Sequence, residues 1–403
     1  MLNLMSNKII VFCFFLLFAV KSNAQWNKYY TNTTKDLFDI QITGKYGFIC
    51  GQNSALLKSS DSGKSWSFLN LTTPSNLRTL YFIDSLTGFV CGENARVQKT
   101  TNGGSSFTQK FVRTSSYIYD MEFKDSNGIA VGKDMLIISS KNNGESWSVD
   151  TTILDKRAIN SLAIATNGQC YAVGDSGYFL TKHITRKKWN INRLLTIVNL
   201  NHVSILNDSI VFIAGGMADT GTVGKYYNVL FQSRDTGKSW VQTPINEMKI
   251  INSAFFINDS LGTLVGSNGI VSKCAGGINN RGQQLTKTSS TLHKIIYHNN
   301  QGYIVGDGGL LLMSNNYGGY GLNTSSNVLQ QTMVFPNPFY NSFKVINNNE
   351  NSILLAYSLD GKLLFQKDLI MGENTVELDT KGLVFLRILT NDKLIDSIIM
   401  LSN

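Results

Sequence analysis

The chain has 403 residues, a formal net charge of +9 and 42% hydrophobic residues, which suits one large folded domain plus a small one and excludes an intrinsically disordered chain. It combines 35 Gly, 22 Phe, 16 Tyr and 5 Trp with only 4 Pro, a composition for short strands joined by tight turns. The basic excess is scattered, with Arg186-Lys187-Lys188 as the dense run, so a solvated basic face is expected rather than a nucleic-acid surface.

At the N-terminus Lys8 precedes an apolar run of 12 residues, Ile9 to Val20, and Ser22-Asn23-Ala24 supplies the small residues of a cleavage site. A span of the bilayer needs about 20 apolar residues. Residues 1–24 therefore read as a signal peptide, with the mature chain starting at Gln25 and no transmembrane anchor.

Self-similarity dominates residues 25–322. Short runs able to form inner strands begin at Asp39, Leu80, Met121, Leu162, Val203, Ala254 and Ile295, in steps of 41, 41, 41, 41, 51 and 41. A second strand in each unit ends on glycine: Gly51, Gly92, Gly132, Gly174, Gly215, Gly266 and Gly306. Aromatic residues recur at Trp66, Phe107, Trp147, Trp189 and Trp240. Four of them close the pattern Ser/Thr-x-Asp/Asn-x-Gly-x-Ser-aromatic, with Asp61, Asn102, Asn142 and Asp235 as turn acceptors. Ile184 takes that place in the fourth unit. The pattern also thins in the sixth unit (Gly276-Gly277) and in the seventh (Ser314, Asn316, Gly318).

This pattern resembles the Asp-box (BNR) turn of sialidase-type propellers. Segments such as Val173-Gly174-Asp175-Ser176-Gly177 resemble the photosystem-assembly propellers. The resemblance implies an all-β fold, a seven-bladed β-propeller, with a structural role for Asp61/Trp66, Asn102/Phe107, Asn142/Trp147 and Asp235/Trp240. Trp26 to Thr31 has no inner strand before it, and the last unit lacks its aromatic, so the N-terminus is expected to form the outermost strand of the seventh blade. Cys50 and Cys91 stand beside equivalent glycines, where small core filler is expected; a Cys50–Cys91 disulfide is open to the sequence.

After a polar linker, 323–332, comes Phe335-Pro336-Asn337-Pro338-Phe339 and a series of alternating strands with an Asp360-Gly361 hairpin signal. Residues 333–403, with 6 basic and 8 acidic side chains, resemble a type A sorting domain of type IX secretion, a small C-terminal β-sandwich. The resemblance implies passage through the type IX machinery to the outer-membrane surface or the medium.

Catalytic signals are sparse. Arginines do not recur at one repeat position as a sialidase triad requires, and Gly-x-Ser-x-Gly is absent. His183, His202, His293 and His298 show no metal or nucleophile spacing, and no cofactor is implied. Asp39 and Asp120, with Glu93, Asp134, Asp175 and Asp307, are the carboxylates at the end where propellers bind ligands. The expected activity is therefore binding of an extracellular protein or glycan, with a propeller-type glycoside hydrolase or lyase as the alternative and an assembly factor as a third reading. Two positions before each inner-strand start lie Leu37, Arg78, Tyr119, Asn160, Asn201, Asn252 and His293, expected to form a channel mouth. Arg78, Tyr119, Asn160, Asn201, Asn252 and His293 are the candidate ligand-binding residues, and inter-blade ties are the competing role for them.

Overall fold

In the computed structural model, the described residues are 26–315 except 72–73, 151–154, 220, 223–224, 246–248, 260, 276–280 and 285, then Tyr317. In the C-terminal part they are 333–402 except 341, 348–350, 359–361, 371, 379–381 and 391–392. The signal-peptide segment, the linker 323–332, Asn316, Gly318, Gly276-Gly277 and the Asp360-Gly361 turn lie outside them. The chain divides into two compact units, Met1–Tyr320 and Gly321–Asn403.

Among the described residues the first unit holds seven four-stranded antiparallel sheets. Their inner strands are Leu37–Thr43, Leu77–Phe82, Ile118–Lys124, Ile159–Ile164, Leu200–Ile205, Ile251–Phe256 and Leu292–His298. Each packs beside the next, and the last packs beside the first, so the sheets form the ring of a β-propeller. Six sheets are consecutive in sequence. In the seventh, the outermost strand is Asn27–Tyr29, paired antiparallel with Leu311–Met313. The N-terminus thus closes the ring as the sequence indicates.

The column of second-strand glycines has a steric origin. None of the seven lies in the left-handed region, yet a Cβ on each would meet a backbone carbonyl at 1.8–2.3 Å. These carbonyls, from Asp36, Asn76, Tyr117, Ala158, Asn199, Ile250 and Thr291, belong to the chain entering the inner strand. Each accepts the amide of the residue that follows the glycine, as in Gln52 N to Asp36 O at 2.8 Å and Lys133 N to Tyr117 O at 3.0 Å. Only a residue without a side chain lets the two backbones approach this closely.

Asp-box turns lock one blade to the next at the opposite end of the ring. Asp61 accepts the Ser59 and Ser65 hydroxyls at 2.7 and 2.6 Å and the Ser65 amide at 2.9 Å. Against its desolvation, these donors hold the Asp61 carboxyl at about 2. Asn102, Asn142 and Asp235 accept the equivalent amides at 2.9, 3.0 and 2.9 Å. A donor from the preceding blade then reaches a turn carbonyl: Tyr303 Oη to Ser62 at 3.0 Å, Lys58 Nζ to Gly103 at 2.7 Å and Lys99 Nζ to Asn143 at 2.5 Å. Trp66 and Phe107 are buried, and Trp147 and Trp240 pack against inter-blade clusters.

Cys50, Cys91 and Cys170 are free and buried, and Cys274 is buried. Burial pushes the Cys50 thiol well up, followed by the influence of Asp39, as expected of core filler.

In the second unit, Met333–Tyr340 changes register between Phe335 and Tyr340 and runs between two strand arrays. One array contains Ser342–Asn347 and Gly372–Glu377, the other Ser352–Tyr357, Leu363–Leu369, Gly382–Thr390 and Lys393–Ser402. Phe343, Val345 and Val376 of the first meet Leu354, Ala356, Leu386 and Ile388 of the second in one core, which makes this unit a β-sandwich.

Candidate functional site at the channel mouth

Each of the seven inner strands carries a register shift one residue after its wall position, between Leu37 and Asp39, Leu77 and Thr79, Ile118 and Asp120, and so around the ring. The residue inside each bulge is turned toward the channel, the re-aiming that bulges bring about. These residues are Phe38, Arg78, Tyr119, Asn160, Asn201, Asn252 and His293, and all seven line one cavity of about 440 Å³. The six candidates therefore share one mouth. Leu37 does not: pairing with Gly51 makes it the fully buried wall residue of the first blade, and Phe38 takes the mouth position. The repeat spacing misplaces the first blade by one residue, because the equivalent of Leu80 is Ile40 rather than Asp39.

The mouth has two unlike halves. On one, Asn160, Asn201 and Asn252 direct their amides to the wall carbonyl of the next blade: Leu200 O at 3.1 Å, Ile251 O at 2.7 Å and Leu292 O at 2.9 Å. These three asparagines tie blades together, the role that competed with ligand binding. His293 Nε2 lies 2.6 Å from Asp307 Oδ1 and its ring meets the Phe38 ring edge-on at 5.0 Å. Burial pushes the His293 pKa down, opposed by Asp307. The other half is not bonded in this way. The Arg78 guanidinium lies over the Phe38 ring, 4.6 Å from its centre. Among the described residues no hydrogen bond or ion pair uses the Arg78 guanidinium or the Tyr119 hydroxyl.

Below the mouth lies a layer of charge. Asp39 accepts the Thr79 hydroxyl and the Leu80 amide, both at 3.0 Å, from the next blade, and the Ile40 amide at 2.9 Å. Asp120 does the same with Ser161 (2.9 Å), Leu162 (2.8 Å) and Met121 (2.9 Å). Ser161 and Ser253 continue the rung to Val203 and Ile295. Asp39 and Asp120 thus hold neighbouring inner strands in register, and neither stands as one half of a free carboxylate pair. Lys294 Nζ lies 3.3 Å from His202 Nε2 and 3.9 Å from Asp39. Desolvation, then Asp120, pushes Glu122 in the same channel up to about 8, so it is largely protonated at neutral pH.

Two of the turn carboxylates, Glu93 and Asp175, are likewise bonded within the fold. Glu93 accepts the Asn76 side chain at 3.2 Å, and Asp175 accepts the Ala158 amide and the Asn160 side chain, both at 3.0 Å. The insertion of the fifth blade lengthens a hairpin at the mouth end, with Ala218 paired to Tyr226. The contribution of Phe38 and of the Thr79–Ser161–Ser253 rung escaped the sequence reading. A polar column directly after the mouth residue (Asp39, Thr79, Asp120, Ser161, His202, Ser253, Lys294) was the available signal.

Comparison with known proteins agrees with the geometry. A family profile described as photosynthesis system II assembly factor YCF48 matches residues 64–158, from the first Asp-box turn to the entry of the fourth blade. No curated protein matches the chain by sequence. Among solved structures, YCF48 bound to D1 peptide superposes with a TM-score of 0.58 at 18% identity, over 73% of this chain and 98% of that one. The chain carries a YCF48-like β-propeller. PorZ, a surface component of the type-IX secretion system of Porphyromonas gingivalis, gives 0.54 at 12% identity, over 92% of this chain and 59% of that one. An ancestral GH74 enzyme gives 0.58 at 12% identity, over 93% and 55%. At these identities the likeness is one of fold.

Proposed function

We propose that the protein is an exported, non-catalytic binding module that takes its ligand, a protein or a glycan, at the channel mouth over Phe38, Arg78 and Tyr119. The observation that carries this reading is the division of the mouth. Asn160, Asn201, Asn252, Asp39 and Asp120 are occupied between blades, whereas among the described residues the Arg78 guanidinium and the Tyr119 hydroxyl form no hydrogen bond and face an open concavity. A half-buried aromatic and an arginine side by side are the usual anchors of a binding surface. The YCF48 structure with a D1 peptide supports a binding role for a propeller of this fold. A hydrolase needs an acid and a base free to exchange protons with substrate, and Asp39 and Asp120 in the mouth are held by amides and hydroxyls.

Glycan and peptide arrays probed with the purified protein, alongside a reducing-end assay on every glycan bound, test this reading. Binding without release of new reducing ends is the expected result; release would establish the hydrolase instead.

The export part of the proposal rests on the sequence of residues 1–24 and 333–403. A chain lacking 333–403 is expected to accumulate, folded, in the periplasm, as fractionation and immunoblotting would show. Normal surface appearance of that truncation removes the sorting role from the C-terminal sandwich.

A further inference from the structure

We infer that the ligand of this mouth is an acidic polysaccharide whose anionic groups pair with Arg78 and Lys133 while its sugar rings lie on Tyr117 and Tyr119. The inference rests on the binding reading above and adds the chemical class. A second cavity of about 450 Å³ adjoins the mouth and shares Phe38, Arg78 and Tyr119 with it. Gln52, Asn76, Leu77, Tyr117 and Lys133 complete its lining, so the mouth opens outward into a groove over the first three blades.

Three features of the groove define its occupant. The first is a pair of cations that make no ion pair. Arg78 is fixed by its stack on Phe38, which leaves the donor edge of the guanidinium open, and Lys133 is exposed in the turn that follows Gly132. Among the described residues neither makes an ion pair. Asp39 and Asp307 act on Arg78 only through space, and the carboxylates nearby bond to other groups: Glu93 to Asn76, Asp307 to His293, and Asp36 to the Gly308 amide at 2.9 Å. Asp134, next to Lys133 in the turn, makes no ion pair with either cation. A guanidinium edge of this kind fits a carboxylate, sulfate or phosphate group with two parallel hydrogen bonds.

The second feature is the pair of tyrosine rings, 6.3 Å apart and inclined by 41°. They present apolar faces with a hydroxyl at one end, a surface that accepts the C–H face of a sugar ring and still hydrogen-bonds its hydroxyls. The third feature disfavours an extended peptide, which is bound largely through main-chain hydrogen bonds. Six carbonyls around the mouth already have donors: Asp36, Asn76 and Tyr117 from the post-glycine amides, and Leu200, Ile251 and Leu292 from the asparagines. With these six carbonyls taken, side chains carry much of the recognition, and side chains suffice for hydroxyls and anionic groups.

The test is titration of the purified protein with oligogalacturonate, the same oligomer after carboxyl reduction, a sulfated glucan, its desulfated form and a poly-glutamate peptide. The acidic oligosaccharides are expected to bind at least about tenfold more tightly than their neutral forms. Arg78→Gln should weaken that binding by about ten- to a hundredfold, with an unchanged melting temperature and a reduced salt dependence. Loss on carboxyl reduction assigns a uronate, and loss on desulfation a sulfate ester. Equal binding of neutral and acidic forms, sensitive to Tyr119→Ala but not to Arg78→Gln, overturns the inference and leaves the mouth as a binding site. Preference for poly-glutamate overturns the glycan assignment. Binding insensitive to both substitutions removes the inference and the mouth reading together.

Discussion

Replacing Gly132 by alanine is expected to be among the most damaging single-methyl changes in the propeller. A Cβ there would stand 1.9 Å from the Tyr117 carbonyl oxygen. That oxygen cannot retreat freely, because it accepts the Lys133 amide at 3.0 Å and the next residue, Ile118, pairs directly with Gly132. Relief requires the inner strand to move off the second strand, which breaks the amide bond and opens the bulge that presents Tyr119. Overpacking of this kind costs about 1–3 kcal/mol or more, and the lost hydrogen bond about 1 kcal/mol. With each kcal/mol worth roughly 2–4 °C in a domain of this class, the midpoint should fall by roughly ten degrees. Gly282→Ala is the control, since nothing lies within 4 Å of its Cβ position. Identical melting curves for the two variants would refute the steric account of the glycine column.

Removal of residues 26–31 has a still larger expected effect, because it opens the ring. Trp26 is 2% exposed, donates from Nε1 to Gln284 at 2.7 Å, and approaches the ring of Tyr297 at 6.4 Å. Asn27–Tyr29 pairs with Leu311–Met313, and the Thr31 hydroxyl donates to Gly309 O at 2.6 Å. Truncating a buried tryptophan alone costs about 3–5 kcal/mol, and the deletion also bares the outer edge of a sheet, a template for association. A midpoint lowered by roughly ten degrees or more, with oligomers on size exclusion, is the expected outcome. Trp26→Ala should reproduce the loss of stability without the exposed edge. A deletion variant that melts like the parent and stays monomeric would show that the seventh blade does not depend on this strand.

The fold was legible because its determinants are local and periodic. A glycine, an aromatic and a turn acceptor recurring at intervals of about 41 residues, with one longer interval at the fifth blade, describe one blade, and the unmatched Trp26 revealed how the last blade is completed. The mouth was half legible. Alternation placed Arg78, Tyr119, Asn160, Asn201, Asn252 and His293 together, but it could not divide them. Whether an asparagine amide is free depends on a carbonyl 40 or 50 residues away, at Leu200, Ile251 or Leu292, and on the bulge that brings it within reach. The same bulge explains the slip at Leu37: a strand that gains one residue locally shifts its face by one, and only the pairing of Leu37 with Gly51 shows which residue is wall. Asp39 and Asp120 were ambiguous for the same reason, since their partners Thr79, Leu80, Ser161 and Leu162 lie on other blades.

That division of the mouth makes the central claim directly measurable. Alanine at Phe38, Arg78, Tyr119, Asn160, Asn201, Asn252 and His293, one at a time, can be scored both for melting temperature and for affinity toward the glycan or peptide selected on the arrays. Affinity should fall about ten- to a hundredfold at Arg78 and Tyr119 with little change in melting. Melting should fall at Asn160, Asn201 and Asn252, each of which leaves a wall carbonyl without its donor at a cost of about 1–3 kcal/mol. Affinity lost at the three asparagines but kept at Arg78 and Tyr119 would contradict the account.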